Sequence, residues 1–198
     1  MSECVGLWRR TLLIDTDGSR DTSTDVRWLQ GITGFVDLRR PADPAAWDGF
    51  AGRLHQDGDV FEWDRFTGLQ PQEQPDAGRM HWDGDILVET GVHADYVEHW
   101  VLEPAPGPCW ALWLAAESLS GAGQALLLRV GPHFGWARST ADGVEITLGS
   151  VTDAGWIVTD SSDRARHGVD LVPALRAGEL AVSDGIWTIT DSEGEVKV

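Results

Sequence analysis

Tight-turn signals divide the chain into short stretches of alternating or apolar residues. Asp-Gly dipeptides occur six times and begin at positions 17, 48, 57, 83, 142 and 184. Asp-Gly favours tight hairpin turns because both positions tolerate a positive φ. The segments between the turns have strand length and β-type composition, which predicts an antiparallel β protein.

The predicted strands run from one end of the chain to the other. They cover residues 6–14, 25–32, 34–40, 59–68, 79–83, 85–91, 96–103, 109–118, 124–130, 134–139, 144–148, 156–159, 180–182 and 186–191.

Helix signals are confined to two segments. Residues 44–51 are predicted as a short helix, with Asp43 as N-cap and Pro44 in the first turn. Residues 170–177 are the second candidate, which Pro173 keeps short or irregular. Because neither segment belongs to a repeated strand–helix–strand unit, a parallel Rossmann-type sheet is not expected.

No change of composition marks a domain boundary. The polar, proline-rich residues 69–76 indicate a loop, and residues 103–108 indicate a stiff linker between strands. Many antiparallel strands in a chain of this size favour closure into a barrel, which removes exposed sheet edges. We therefore expect an all-β fold: one antiparallel β-barrel domain over residues 1–198, with one or two short helices.

Aromatic and charged residues repeatedly share a predicted strand face, since residues two apart point to the same side. The sets are Trp8, Arg10 and Leu12; Phe35, Asp37 and Arg39; Phe61, Trp63 and Arg65; Tyr96, Glu98, Trp100 and Leu102; and Phe134, Trp136 and Arg138. Such faces are either exterior, with Arg stems over indoles, or they line a barrel interior. In an interior, the charged groups would orient a bound molecule among aromatic walls.

The motif Gly6-Leu7-Trp8 resembles the G-x-W of lipocalins and their calycin relatives on the first barrel strand. More of the chain is similar to a second group, the Hri1-type proteins with lipocalin-like barrels. The similar stretches are Trp8-Arg9-Arg10, Val26-Arg27-Trp28-Leu29-Gln30, Phe35-Val36-Asp37-Leu38-Arg39, Asp76-Ala77-Gly78-Arg79-Met80, Glu89-Thr90-Gly91 and Tyr96-Val97-Glu98-His99-Trp100, with weaker likeness at Phe134-Gly135-Trp136-Ala137-Arg138 and Glu145-Ile146-Thr147-Leu148-Gly149.

The resemblance implies an antiparallel barrel of lipocalin type and no particular activity. In lipocalins an arginine late in the barrel packs over the first-strand tryptophan. The resemblance therefore implies that Arg138, Arg164 or Arg166 packs over Trp8, without choosing among the three.

Composition excludes several partners. Acidic residues outnumber basic ones 32 to 15, giving a formal charge of −17. Nucleic acids and anionic membrane surfaces are both recognised through Lys and Arg, so neither is an expected partner.

The sequence contains no apolar run of about 18 residues, so no membrane-spanning helix is expected. The first residues do not resemble a secretory signal. The two cysteines, Cys4 and Cys109, suit a reducing compartment, so a cytoplasmic location is expected.

Potential metal ligands are densest between positions 81 and 99. His81, Glu89, Glu98 and His99 fall on neighbouring predicted strands. A divalent metal needs three or four donors converging at about 2.0–2.2 Å. Because Glu98 and His99 are adjacent, they point to opposite faces of one strand. We therefore predict no metal and no other cofactor.

Glu98 is the strongest candidate for proton transfer. It lies on a face with Tyr96 and Trp100, where desolvation would raise the pKa of its carboxyl. Glu98 is equally able to form a structural salt bridge with Arg10 or Arg39, and this interpretation is favoured. His81 and His99 are the other candidate bases.

The leading functional hypothesis is a barrel that binds a small hydrophobic or aromatic molecule inside. The predicted walls and orienting contacts are Trp28, Asp37, Arg39, Trp63, Trp82, Tyr96, Glu98, Trp100, Trp136 and Arg138. The second is a cofactor-free isomerase, cyclase or lyase in the same cavity, with Glu98, His81 or His99 as base. The third is a barrel filled by its own side chains that binds proteins through an acidic surface. The oligomeric state stays open.

Overall fold

The computed structural model describes residues 4–118 and 121–198. Over these residues the chain forms seventeen strands in two antiparallel sheets. The all-β, antiparallel barrel fold predicted from the sequence is therefore confirmed.

The first sheet contains nine strands and closes on itself. Its strands are β1 (Gly6–Ile14), β2 (Arg20–Asp21), β3 (Asp25–Gln30), β4 (Gly34–Arg40), β5 (Asp48–Asp57), β6 (Val60–Gly68), β7 (Ala77–Asp83), β8 (Ile86–Gly91) and β9 (Val97–Glu103). Strand β1 pairs with β3 on one side and β9 on the other, which closes an eight-stranded up-and-down barrel. The two-residue strand β2 belongs to the same sheet and pairs with the last two residues of β1.

The second sheet contains eight strands and stays open as a half-barrel. Its strands are β10 (Cys109–Ser118), β11 (Gly121–Val130), β12 (His133–Thr140), β13 (Gly143–Thr152), β14 (Gly155–Ser161), β15 (Ala174–Arg176), β16 (Glu179–Val182) and β17 (Gly185–Gly194). The spatial order is β14-β13-β12-β11-β10-β17-β16-β15, so β14 and β15 are its edges. The final strand β17 returns to pair with the first strand of this sheet, β10.

Both predicted helices are largely wrong. Asp43 does cap a helical turn, accepting a hydrogen bond from the Ala45 amide at 2.9 Å, but this 3-10 helix covers only Pro44–Ala46. Residues 48–51 of the segment belong to β5, because pairing with β4 satisfies their backbone within the closed ring. Residues 170–177 contain the short strand β15, which pairs with β16. A further 3-10 helix covers Arg164–Arg166.

Three apolar clusters hold the molecule together. One lies in the barrel interior and includes Trp8, Trp28, Trp63 and Trp100. A second lies on the concave side of the half-barrel and includes Trp110 and Trp136. The third joins the two sheets, with Leu7, Leu29, Val36, Leu38 and Ala51 from the barrel against Ala111, Leu126, Leu128, Val130, Ala137, Ile146 and Leu148 from the half-barrel.

The environment of Trp8 departs from the lipocalin pattern. Its buried indole stacks on Trp28 with the ring centroids 5.6 Å apart, and its Nε1 donates to the Cys4 carbonyl at 2.7 Å. The three arginines named as candidates all belong to the second half of the chain and have other partners. Arg138 and Arg166 pair with Glu145, and Arg164 lies over Trp47.

No helix among the described residues is long and apolar enough to cross a membrane.

Two glycines at the junction of the sheets provide a test of how tightly they pack. A Cβ added at Gly135 would lie 2.7 and 2.9 Å from Val36 Cγ2 and Cβ, whereas one at Gly34 would meet Ala111 Cβ at an ordinary 3.5 Å. We expect Gly135→Ala to lower the free energy of unfolding by about 1–3 kcal/mol, because the stiff valine cannot move aside. Gly34→Ala should change it by less than about 0.5 kcal/mol.

Urea denaturation of both variants, followed by circular dichroism, measures this difference. Adding Val36→Ala to Gly135→Ala should recover part of the loss. Equal stabilities of the two single variants would contradict close contact at Gly135.

Candidate functional site

The two ends of the barrel differ. At one end, Trp8 packs against Trp28 and against Trp82, whose centroid is 5.9 Å away. At the other end, where β1 finishes and β9 begins, the interior opens into a cavity of about 210 Å³. The cavity is lined by Leu13, Asp15, Thr16, Trp28, Asp37, Arg39, Phe50, Trp63, Arg65, Asp76, Glu89, Ala94, Tyr96, Glu98 and Trp100.

Aromatic rings form the floor and walls of the cavity. Trp28 lies between Trp63 and Trp100, and each pair meets edge to face with centroids 5.6 Å apart. The Trp28 indole donates to Gln30 Oε1 at 2.9 Å. Because the side-chain hydrogen bond and the neighbouring rings fix its orientation, this wall is rigid.

Two arginines that line the cavity pair with carboxylates. Arg39 Nε donates to Asp37 Oδ1 at 2.8 Å, and Arg65 pairs with Asp76. The guanidinium carbons of Arg39 and Arg65 also lie 4.9 and 3.3 Å from the centroid of the Phe50 ring. These contacts hold the charged groups at the open end of the barrel, above the tryptophans.

Arg10 and Glu98 form an ion pair inside the barrel. Arg10 Nη1 lies 2.6 Å from Glu98 Oε1, and Arg10 Nη2 lies 3.0 Å from Asp21 Oδ2. The Arg10 and Glu98 side chains are each 5% exposed. The salt bridge predicted between Arg10 and Glu98 is therefore present, and Glu98 has a structural partner.

Asp37 is a buried carboxyl with a perturbed pKa. Burial raises its pKa from 3.8 to about 6, while the nearby Arg39 guanidinium acts in the opposite direction. The charge of Glu98 adds to the increase. Desolvation therefore outweighs the ion pair at this position.

Glu89 is buried without a basic partner among the described residues. It is 3% exposed and faces Glu98 directly across the β8–β9 pair. Tyr96 Oη donates to Glu89 Oε1 at 2.7 Å, and Trp100 Nε1 donates to Oε2 at 3.0 Å. Burial and then the charge of Glu98 raise the pKa of Glu89 to about 8, against the opposing effect of the Tyr96 hydrogen bond.

A glycine on the neighbouring strand makes room for this carboxyl. A Cβ at Gly78 would lie 2.5 Å from Glu89 Cγ and 2.7 Å from Oε1. Gly78 pairs with Gly91 across the β7–β8 ladder, two pairs away from the Met80–Glu89 pair and on the same face. The Glu89 side chain therefore occupies space that any other residue at position 78 would fill.

Seven of the predicted site residues come together at the cavity. They are Trp28, Asp37, Arg39, Trp63, Tyr96, Glu98 and Trp100. The faces that combine aromatic and charged residues on β4, β6 and β9 thus point into the barrel. On β1 a register shift between Arg10 and Leu12 changes the alternation, so Leu13, not Leu12, lines the cavity.

The other predicted site residues lie elsewhere. Trp82 is at the opposite end of the barrel and 48% exposed. His81 is exposed on β7, and His99 points away from the interior face that carries Glu98. Trp136 packs edge to face against Trp187 in the half-barrel, with centroids 5.7 Å apart. Arg138 pairs with Glu145 at 2.7 Å in the same sheet.

Several cavity residues were not among the predicted site residues. They are Arg10, behind Glu98, and Phe50, Arg65, Asp76 and Glu89, in the lining. Arg65 shares a face with Trp63 two residues away, so the alternation could have placed it here. Glu89 could be placed only through the register of β8 against β9, which pairs it with Glu98.

No group of three or more His, Cys, Asp or Glu side chains in residues 4–118 and 121–198 is arranged to hold a metal ion. Comparison with known protein families, curated proteins and solved structures found no match for the chain.

The buried Glu89 carboxyl should make stability fall as pH rises. Folding raises its pKa from 4.5 to about 8, so between these values the folded chain holds a proton that the unfolded chain has released. The resulting stability is present at low pH and is lost as the pH approaches about 8. The glutamine in Glu89→Gln has no such proton to lose. The decrease in the free energy of unfolding as the pH rises should therefore be smaller in this variant, by on the order of 3 kcal/mol.

Urea denaturation of the wild type and Glu89→Gln from pH 5 to pH 9 measures the effect. Asp37 contributes its own decrease at lower pH in both proteins and therefore cancels in the comparison. Parallel stability profiles for the two proteins would show that Glu89 is not a buried, protonated carboxyl.

Proposed function

We propose that the closed barrel binds a small aromatic or largely apolar molecule in the cavity at its open end. The observation that carries this proposal is the aromatic wall of Trp28, Trp63 and Trp100 beneath a ring of charged groups. Ligand pockets commonly combine apolar walls with a few polar groups that fix orientation. Arg39 and Arg65 would provide such groups.

The volume of the cavity limits the size of the ligand. A cavity of about 150 Å³ takes up one benzene molecule. At about 210 Å³, this cavity has room for one aromatic ring with a short substituent. The same volume argues against the third hypothesis, a barrel filled by its own side chains.

A lipocalin-like, calycin relationship and a cytoplasmic location also remain proposals. Gly6-Leu7-Trp8 at the start of β1 supports the first, because Trp8 packs inside one end of the barrel. The half-buried free thiol of Cys109 is compatible with the reducing environment of the second.

Binding of 2-phenylethanol, a neutral ring with a short substituent, tests the cavity. We expect saturable binding with a Kd at or below about 1 mM, since a ligand of this size gains limited free energy. Ala94→Trp, at the edge of the cavity, should weaken binding at least about tenfold by filling it. Ala42→Trp is the control, because Ala42 is exposed and outside the lining.

Isothermal titration calorimetry provides the measurement without interference from the added indole. Equal binding by the two variants would place the ligand outside the cavity. The absence of saturable binding to the wild type, for this probe and for toluene, would contradict the proposal.

Proton transfer is a second candidate function, and the position of Glu89 favours it. With a pKa raised to about 8, this carboxyl is protonated at neutral pH and can act as an acid, or as a base once ionised. Glu98 is less suited to this role because Arg10 is bound to it. His81 and His99 do not line the cavity.

The elimination reaction of 5-nitrobenzisoxazole tests this second function. A carboxylate base removes the ring C–H proton, the N–O bond breaks, and a cyanophenolate forms. We expect a rate about tenfold or more above that of Glu89→Gln, rising through pH 8 as Glu89 ionises. Absorbance of the phenolate measures it, and identical rates for the two proteins would exclude Glu89 as a base.

A further inference from the structure

Glu89 differs from three other carboxylates that line the cavity. Asp37 has Arg39, Asp76 has Arg65, and Glu98 has Arg10 as a cationic partner. Within the described chain no arginine, lysine or histidine forms an ion pair with Glu89. Its oxygens instead accept one hydrogen bond from the Tyr96 hydroxyl and one from the Trp100 indole. A buried carboxylate is costly unless a cation compensates it.

The residues that line the cavity also carry more acidic than basic groups, which favours a cation there. Five carboxyl residues and two arginines line the cavity: Asp15, Asp37, Asp76, Glu89, Glu98, Arg39 and Arg65. Counting Arg10 behind Glu98, carboxyls still outnumber guanidiniums. The chain as a whole carries a formal charge of −17. Both the local and the overall charge therefore attract cations and repel anions.

The aromatic walls suit an organic cation in particular. Trp100 and Tyr96 both touch Glu89 and both line the cavity, next to Trp28 and Trp63. Aromatic faces attract ammonium groups, most strongly where water is excluded. An inorganic cation would pair with the carboxyl but would not pack against these rings. An arylalkyl amine would pair with the carboxyl through its ammonium group and pack against the rings through its aromatic part.

Resting on the proposed binding function, we propose that the ligand is a small organic amine whose ammonium group pairs with Glu89 and whose apolar part packs among Trp28, Trp63 and Trp100. The ammonium supplies the cation that Glu89 lacks. Arg39 and Arg65 then serve to hold Asp37 and Asp76, so that these carboxyls do not compete for the amine.

Amine binding should release a proton. At neutral pH the Glu89 carboxyl holds a proton, since its pKa is raised to about 8. Glu98 and Asp76 act to raise this pKa, whereas Tyr96 and Arg39 act to lower it. An ammonium beside Glu89 favours the carboxylate, and the displaced proton passes to solvent. The affinity for an amine should therefore rise with pH, by up to about tenfold per unit below pH 8.

The experiment compares 2-phenylethylamine with 2-phenylethanol, which share the ring and chain and differ in the ammonium group. We expect the amine to bind at least about tenfold more tightly at pH 8, and the difference to shrink at pH 6. In Glu89→Gln the preference should fall below about threefold. Glu62→Gln, the same substitution at an exposed site outside the cavity, should retain it.

Glu89→Gln is expected to keep the fold, because the glutamine oxygen can accept from Trp100 while its amide donates to Tyr96 Oη. Circular dichroism checks this. An independent measurement needs only the wild type: calorimetry at pH 7 in buffers of different ionisation enthalpy should show about one proton released per amine and none for the alcohol.

The possible results separate the two proposals. Equal affinity for amine and alcohol, or no proton release, would overturn the amine inference and leave the proposed cavity function intact. An amine preference that persists in Glu89→Gln would overturn the role of Glu89. If neither the amine nor the alcohol binds, both proposals are overturned.

Discussion

The pairing of β1 with β9 is the constraint on which the rest of the barrel depends. It joins the first and last strands of an up-and-down sheet, so no strand edge of the ring faces solvent. Closure also turns one face of every strand inward. Charged side chains on those faces must then find partners inside the barrel, as Arg10 and Glu98 do at 2.6 Å.

The enclosed interior is divided along its axis. Trp8, Trp28, Trp63 and Trp100 fill much of it with rings, and the charged groups collect at the open end above them. Each arginine there is paired with a carboxylate, whereas Glu89 accepts hydrogen bonds from two neutral donors and has no ion pair with any described residue. Under the proposed function, aromatic walls and a buried carboxyl without an ion-pair partner among the described residues would select a ligand by charge as well as by shape.

The half-barrel gives the closed barrel a large apolar contact on one side. Its strands bury one face against β3, β4 and β5 and the other in a cluster of their own. Gly135 permits the close approach, since a Cβ there would meet Val36. The described residues of the half-barrel contribute no side chain to the cavity lining, so the half-barrel contributes to the site by supporting the strands that carry Asp37, Arg39 and Phe50.

The sequence by itself determined the antiparallel β class, most strand positions and which aromatic and charged residues share a strand face with Asp37, Trp63 and Glu98, because turn residues and two-residue alternation are local properties. Only the tertiary structure decided that those faces point into the barrel and that β10–β17 form a second sheet, which places Trp136 and Arg138 outside the barrel. It also placed residues 48–51 of the predicted helix in β5 and paired Glu89 with Glu98 across two strands. Strand register and closure depend on contacts between residues far apart in the chain, and no local pattern specifies them.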